Sequence, residues 1–412
     1  MEIFLPHLLR RIDLAIIGAG PHALALVTHL LQKRQKIRPR ITVFDPSGKW
    51  MSQWEHQFAA LEIPHLRSPA VHHSDPNPFA LRKFAESRGN EFFPPYDLPG
   101  TGLFNSFGQD IIHRWELENT VVDERVVRIQ PLHNPLFPRF RLWFDSGKSI
   151  IARRVVLATG SSQLQIPDWV NQINSKYPQD RLSHSHAIDL RNLDLAGERV
   201  LIIGGGLTSG HLAVGAISRG AEVQISIRRQ MQEKGFDADA GWLGPKYLRG
   251  FFAEPDFVKR FAMIQQARNG GSMTPAMGIK LRQQVRSGKL KILENTQVVT
   301  AQWRDNHWVV KFTDGKYECD RIWLSTGTYF DVNSEPLLKE IIRAYPIPVV
   351  NGLPVLDDNL RWCGCSLFIM GGLGALQIGP TARNLSGARM ASQKMLKAII
   401  KSNITENQAK SA

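Results

Sequence analysis

The chain has 412 residues, 43% hydrophobic and 21% charged, and its 51 Lys+Arg against 37 Asp+Glu give a net charge of +14. That length exceeds one ordinary domain, the apolar content excludes a predominantly disordered chain, and only 3 cysteines exclude a disulfide framework. The charge favours anionic partners, but basic residues fall in short pairs such as Arg153-Arg154, without zinc-finger or RNA-binding spacing, so no nucleic-acid partner is expected.

Residues 1–11 place Arg10 and Arg11 after a short apolar stretch, unlike a signal peptide, and no run of about 18 apolar residues follows. A cytoplasmic protein without a transmembrane helix is expected, with peripheral membrane contact left open. Leu14-Ala15-Ile16-Ile17 reads as a strand, Gly18-Ala19-Gly20-Pro21-His22-Ala23 as a glycine turn, and Leu24 to Leu31 as a helix. A β-branched strand, Arg40 to Asp45, follows. The same grammar returns in Arg199 to Ile203, then Gly204-Gly205-Gly206-Leu207-Thr208-Ser209-Gly210, then His211 to Ile217 and the strand Glu222 to Arg228.

This is a βαβ unit written twice, the element order of parallel sheets with a dinucleotide crevice. The first glycine turns the chain out of the strand, and the second clears space for a pyrophosphate. The third small residue lets the helix pack closely, and the helix N-terminus offers free N–H groups to phosphate. Ala23 takes the third place in the first copy; in the second, Ser209 stands there with Gly210 one residue later. Asp45 follows Gly18 by 27 residues, near the offset of about 20 for a carboxylate that accepts a ribose hydroxyl. Arg228 stands 24 residues after Gly204, with Arg229 beside it. A cation there suits the 2′-phosphate of NADP, where an acid would signal NAD.

Val155 to Gly160 and Ile322 to Gly327 are apolar strands that stop at Thr-Gly, bringing Thr159, Gly160 and Gly327 back toward the nucleotide sites. His56, His65, His72 and His73 fall in a proline-rich stretch without metal-ligand spacing, so no metal is expected. Phe236 to Gly278 interrupts the second unit before a helix at Ala276 to Arg286 and reads as a long excursion, either a lid over the cleft or a surface loop. Cys363 and Cys365 read as structural thiols, because C-x-C lacks the spacing of a flavin-facing redox pair.

Gly18-x-Gly20-Pro21, Ala158-Thr159-Gly160, the Gly204 turn and Asp320-x-x-x-Leu324-Ser325-Thr326-Gly327-x-Tyr329 recur in this order in flavoproteins with two dinucleotide-binding domains. From Leu14 to Ala391 the chain resembles class B flavin monooxygenases, nearest to lysine/ornithine N-hydroxylase-like proteins. Pro69 to Phe84 loosely resembles the stretch those enzymes run beside the flavin, and Leu182-Ser183-His184-Ser185 resembles part of their His-Ser fingerprint. Trp50 and Trp54 stand where relatives pack an aromatic near the flavin, and core packing explains them equally well. Gly379-Pro380-Thr381 resembles the segment that closes over the flavin and opens a last helix. Many relatives carry Gly-Asp where Gly371-Gly372 stands here, so the usual carboxylate toward the ribityl chain is absent.

The resemblance implies an α/β fold with two Rossmann-like dinucleotide-binding domains. The FAD-binding domain is expected at 1–190 and 321–412, with an NAD(P)-binding domain at 191–320 inserted between its parts. It implies FAD at Gly18, Gly20, Pro21, Ala23, Asp45, Trp50, Thr159, Gly160, Gly327, Gly379 and Pro380. NADPH is expected at Gly204, Gly206, Ser209, Gly210, Arg228 and Arg229. The implied activity is an NADPH-consuming monooxygenase that uses oxygen, through a flavin C4a-peroxide, on a small nucleophile such as an amine. A flavin reductase of a quinone or protein acceptor, and a nucleotide-sensing flavoprotein without turnover, are the alternatives. No catalytic side chain, substrate identity or oligomeric state is legible.

Overall fold

The computed structural model describes residues 11–88, 91–132, 139–160, 162–268 and 270–401; the segment 1–10, read above for its charge order, lies outside them. One sheet contains β1 (Arg11–Ile17), β2 (Ile41–Phe44), β3 (Val121–Val122), β4 (Val126–Leu132), β5 (Arg139–Phe144) and β6 (Ser149–Leu157). Their spatial order is β3-β2-β1-β6-β5-β4. β1 runs parallel to β2 and β6, and its Leu14, Ala15 and Ile16 are fully buried, as a strand covered on both faces must be. β5 alternates buried and half-buried residues, the pattern of an antiparallel strand with one wet face. Helix α1 (Pro21–Lys33) begins with Pro at its first position, where no N–H is needed, and buries Ala23 through Leu31.

The second sheet contains β7 (Leu182–His184), β8 (Arg199–Ile203), β9 (Glu222–Ser226) and β10 (Leu290–Leu293). An antiparallel ribbon of β11 (Val298–Arg304), β12 (His307–Phe312) and β13 (Gly315–Cys319) follows, and β14 (Arg321–Leu324) completes the sheet. The order is β7-β14-β8-β9-β10, parallel throughout. Helix α2 (Leu207–Ser218) follows β8 and starts four residues before the expected His211, because extended Gly206 serves as its N-cap.

The strand pairing runs past the expected limits of 191–320. Strands at 182–184 and 321–324, assigned from sequence to the first domain, pair inside the second sheet. The chain crosses between sheets on two short strands, Gln163–Leu164 and Thr328–Tyr329, which pair antiparallel with each other.

The stretch from Phe236 is not a plain loop. It carries α3 (Pro245–Ala253) and α4 (Phe257–Arg268) before α5 (Pro275–Arg286). Trp242, Leu248, Phe251 and Ile264 from this stretch are buried in the same core as β1 and α1. Glycine and proline punctuation hid these helices, although Pro245 is the favoured first residue of one. The chain then returns to the first sheet: β15 (Leu367–Ile369) pairs parallel with β6, and α6 (Leu385–Lys401) packs along α1. Among the described residues no helix is long and apolar enough to cross a membrane.

Candidate functional site

The two glycine turns are built alike. In the first, Gly18 N–H donates to Phe44 O at 2.8 Å and Ala158 N–H donates to Ile17 O at 2.9 Å, so the turn leaves β1 against the end of β6. In the second, Gly204 N–H donates to Ser226 O at 3.0 Å and Ser325 N–H donates to Ile203 O at 2.8 Å. Gly18 has φ +98°, and a Cβ on it would lie 2.7 Å from Ala158 O; Gly204 has φ +140° and would strike Ser325 O. Both first glycines are therefore required by the neighbouring strand end, before any ligand is considered.

The second glycines differ. Gly20 caps α1 in an extended conformation, and an added Cβ would meet nothing within 4 Å. That open face, with no side chain capping the helix N-terminus, fits a pyrophosphate. At Gly206 the nearest atom to an added Cβ is Gly271 Cα at 3.6 Å, so backbone of the chain stands there. Arg229 holds that backbone, donating to Gly271 O at 2.7 Å.

Ala23 is fully buried, and the third glycine of the second copy is a packing residue: a Cβ on Gly210 would lie 2.6 Å from Met277 Cγ on α5. Ser209 turns inward, its hydroxyl donating to Gly206 O at 2.6 Å, so it closes its own helical turn. Asp45 locks the first turn: Oδ2 accepts Ala19 N–H at 3.1 Å, and Oδ1 accepts Ser47 N–H at 3.0 Å and the Ser47 hydroxyl at 2.6 Å. Oδ1 is filled by Ser47, while Oδ2 keeps acceptor capacity for a sugar hydroxyl.

Trp50 does not face the cleft. It is 6% exposed, and its indole N–H donates to Leu117 O and Thr120 Oγ, both at 3.1 Å, pinning the turn after β2 into the core. Thr159 and Gly160 are exposed beyond the end of β6. Gly327 lies at the crossing between sheets, its carbonyl accepting from Gln165 N–H at 3.0 Å and from His184 Nε2 at 3.2 Å. Arg228 is exposed at the end of β9, with no partner among the described residues.

Sequence reasoning missed a cluster that bridges the two turns. Arg67 donates to Asp237 Oδ1 at 2.8 Å, to the carbonyls of Lys234, Gly235 and Ser272, and to Ser272 Oγ. Arg268 donates to Asp237 Oδ2 at 3.4 Å and to Pro380 O at 2.8 Å. His22 Nε2 donates to Arg383 O at 3.4 Å. Gly271 touches the second turn, Arg268 ties that stretch to Pro380, and Arg383 rests on the first turn of α1. Burial lowers the pKa of Arg67 and Arg268, with Asp237 acting in the opposite sense. No local spacing could reveal this, since Arg67 and Asp237 are separated by 170 residues.

Burial holds His22 down at about 4, opposed by its bond to Arg383, and does the same to His211 on α2, with His65 and Lys280 adding repulsion. Both rings are neutral at pH 7. Of the expected histidine group, His72 and His73 are likewise pushed by burial to about 4, while His56 is exposed. No group of three His, Cys, Asp or Glu able to hold a metal occurs among the described residues. Cys363 is exposed and Cys365 buried, its thiol pushed up to about 12 by burial, which suits a packing role. The Gly371-Gly372 departure has a steric cause: a Cβ at Gly372 would fall inside the Phe330 ring, so an aspartate has no room.

Two family models match the sequence: FAD-NAD(P)-binding over residues 15–162, and L-lysine 6-monooxygenase/L-ornithine 5-monooxygenase over residues 116–322. Among curated proteins none matches. Among solved structures, the ornithine N-hydroxylase KtzI of Kutzneria sp. 744, with reduced FAD, NADP+ and L-ornithine, is 16% identical with a TM-score of 0.78. That match covers 95% of this chain and 100% of KtzI. L-lysine 6-monooxygenase from Pseudomonas syringae is 18% identical with a TM-score of 0.74, covering 94% of this chain and 99% of that one. The bacillithiol disulfide reductase Bdr from Staphylococcus aureus is 14% identical with a TM-score of 0.63, covering 95% and 99%.

Proposed function

The chain belongs to the L-lysine 6-monooxygenase/L-ornithine 5-monooxygenase family, and from that premise we propose that it hydroxylates the nitrogen of a small amine, consuming NADPH and oxygen with FAD. When bound, FAD carries two electrons from NADPH and activates oxygen for transfer. The observation that carries this reading is the bridge from Gly271 at the second turn, through Arg268 and Pro380, to Arg383 and His22 at the first. It joins two dinucleotide turns around one cleft, the arrangement hydride transfer between two nucleotides requires.

In this reading Gly20 leaves room for the FAD pyrophosphate, and the first free N–H groups of α1 bind it. Asp45 accepts the ribose hydroxyls, and Thr159 and Gly160 line the same turn. Gly379 and Pro380 close the cleft from the C-terminal side, with Pro380 held by Arg268. Arg228 binds the 2′-phosphate of NADPH through its exposed guanidinium. The helices α3 and α4 exclude water on that side, packing on the first core while Arg260 bonds Leu376 O at 3.1 Å. A sheet-to-sheet boundary near the paired crossings, close to residues 163 and 328, then separates the FAD and NADPH parts.

The test is an amine panel that includes ornithine, lysine and diamines, with NADPH oxidation, hydrogen peroxide and hydroxylamine followed together. An accepted amine converts the oxygen consumed from peroxide into hydroxylamine. Peroxide release that ignores every amine, with rapid electron transfer to a quinone, would replace this reading by the reductase.

A further inference from the structure

Arg383 stands out within the bridging cluster. The two other arginines are committed: all five N–H donors of Arg67 have partners, and Arg268 is shared between Asp237 and Pro380. The Arg383 guanidinium has no hydrogen-bond or ion-pair partner among the described residues. It nevertheless feels both Arg268, which repels it, and Asp237, which attracts it, and burial among its neighbours brings its pKa down to about 10. The residue still keeps exposed surface, so it is crowded by its neighbours without being sealed inside the protein. It remains charged at pH 7.

Charge counting points the same way. Asp237 is the acid facing three guanidinium groups, and it already receives Arg67 at 2.8 Å and Arg268 at 3.4 Å. The nearby His22 adds no charge, because burial keeps it neutral. A partly desolvated guanidinium with unused forked donors is matched by a phosphate or carboxylate oxyanion, through short charge-assisted hydrogen bonds. The Arg383 backbone carbonyl rests on His22, the second residue of α1, beside the open face of Gly20.

We propose that Arg383 is an oxyanion-binding residue of this cleft, engaging the pyrophosphate of the dinucleotide at the Gly20 turn or the carboxylate of a bound substrate. This deepens the FAD assignment above and rests on it. The position next to α1 favours the pyrophosphate, which brings about one negative charge per phosphate to a cluster in surplus of positive charge.

The experiment compares the unaltered protein with Arg383→Gln and Arg383→Lys, each checked for an unchanged thermal midpoint as apoprotein. FAD, ADP and adenosine are titrated into the apoproteins at low and high salt, and acetate into the FAD-loaded proteins with the flavin spectrum as readout. If the oxyanion is the pyrophosphate, Arg383→Gln weakens FAD and ADP at least tenfold, flattens their salt dependence and leaves adenosine unchanged. Arg383→Lys then recovers part of the loss. If it is a carboxylate, FAD and ADP hold their affinity and the acetate response disappears in Arg383→Gln. Unchanged ADP, FAD and acetate responses in Arg383→Gln overturn the proposal while leaving the FAD assignment intact. Failure of the unaltered protein to bind FAD overturns the assignment itself.

Discussion

Substituting the first two glycines of the Gly18 turn separates what the fold needs from what a ligand needs. Gly18 has φ +98° and would place a Cβ 2.7 Å from Ala158 O, whereas a Cβ at Gly20 meets nothing within 4 Å. For Gly18→Ala, the positive φ costs about 1–2 kcal/mol, and moving the Ala158 carbonyl adds roughly 1–3 kcal/mol. At roughly 2–4 °C per kcal/mol, the apoprotein should melt about 4–20 °C lower. For Gly20→Val, the loss of a favourable N-cap residue costs up to about 1 kcal/mol. Reduced freedom of the unfolded chain returns roughly 0.4–1 kcal/mol, so the apoprotein midpoint should stay within about 2 °C. The valine does fill the open face of the turn. Losing two charge-assisted bonds to pyrophosphate, at about 1.5–3 kcal/mol each, weakens FAD by more than roughly 100-fold. Scanning fluorimetry of the apoproteins and quenching of FAD fluorescence read both quantities. A yellow Gly20→Val protein with ordinary FAD affinity, or one as unstable as Gly18→Ala, would refute the reasoning.

Arg228→Ala should weaken NADPH about tenfold per 1.4 kcal/mol lost and leave NADH nearly unchanged; equal losses for both nucleotides, in steady-state constants at two salt concentrations, would remove Arg228 from the site. Gly372→Asp should lower the thermal midpoint because its Cβ enters the Phe330 ring, and Phe330→Ala in the same chain should restore much of the loss. A Gly372→Asp protein as stable as its parent would contradict that packing. Below pH 6.5 the unfolded chain protonates His22, His72, His73 and His211, while the fold holds each neutral down to about 4. Stability is therefore fully present above pH 6.5 and falls toward pH 4, by up to about 1.4 kcal/mol per pH unit for each ring. Melting curves across that range at fixed ionic strength test this: a flat profile contradicts it, and His73→Gln should shallow the slope.

Local chemistry was legible in the sequence where one short stretch decides it. The strand–turn–helix units around Gly18 and Gly204 were readable because strand, turn and helix each leave their own period within about 15 residues. Trp50 was not, because an aromatic beside a cofactor and one in a core look the same until its N–H finds Leu117 and Thr120. Ser209 was ambiguous for a related reason: a hydroxyl at the third position serves a ligand or its own helix equally well, and here it bonds Gly206 O. That the strands at 182–184 and 321–324 pair inside the second sheet was not legible, because pairing partners in a parallel sheet are remote in sequence. The cluster of Arg67, Asp237 and Arg268 lies at the far end of the same difficulty, being assembled from segments with no shared local pattern.

The paired crossings bear on how the chain could be recombined. Thr328 faces Leu164 and Tyr329 faces Gln163, so the polypeptide leaves the first sheet and re-enters it at neighbouring points, about 5 Å apart for antiparallel partners. A cassette bounded there can be cut out and its flanks rejoined by a short hairpin, since each crossing is severed only once. The obstacle to such an exchange lies in α3 and α4, whose Leu248, Phe251 and Ile264 are embedded in the recipient's core. A transplanted unit from another scaffold would therefore fit only if the graft skipped the stretch from Phe236 to Arg268. The recipient's own helices would then stay seated on the core they complete.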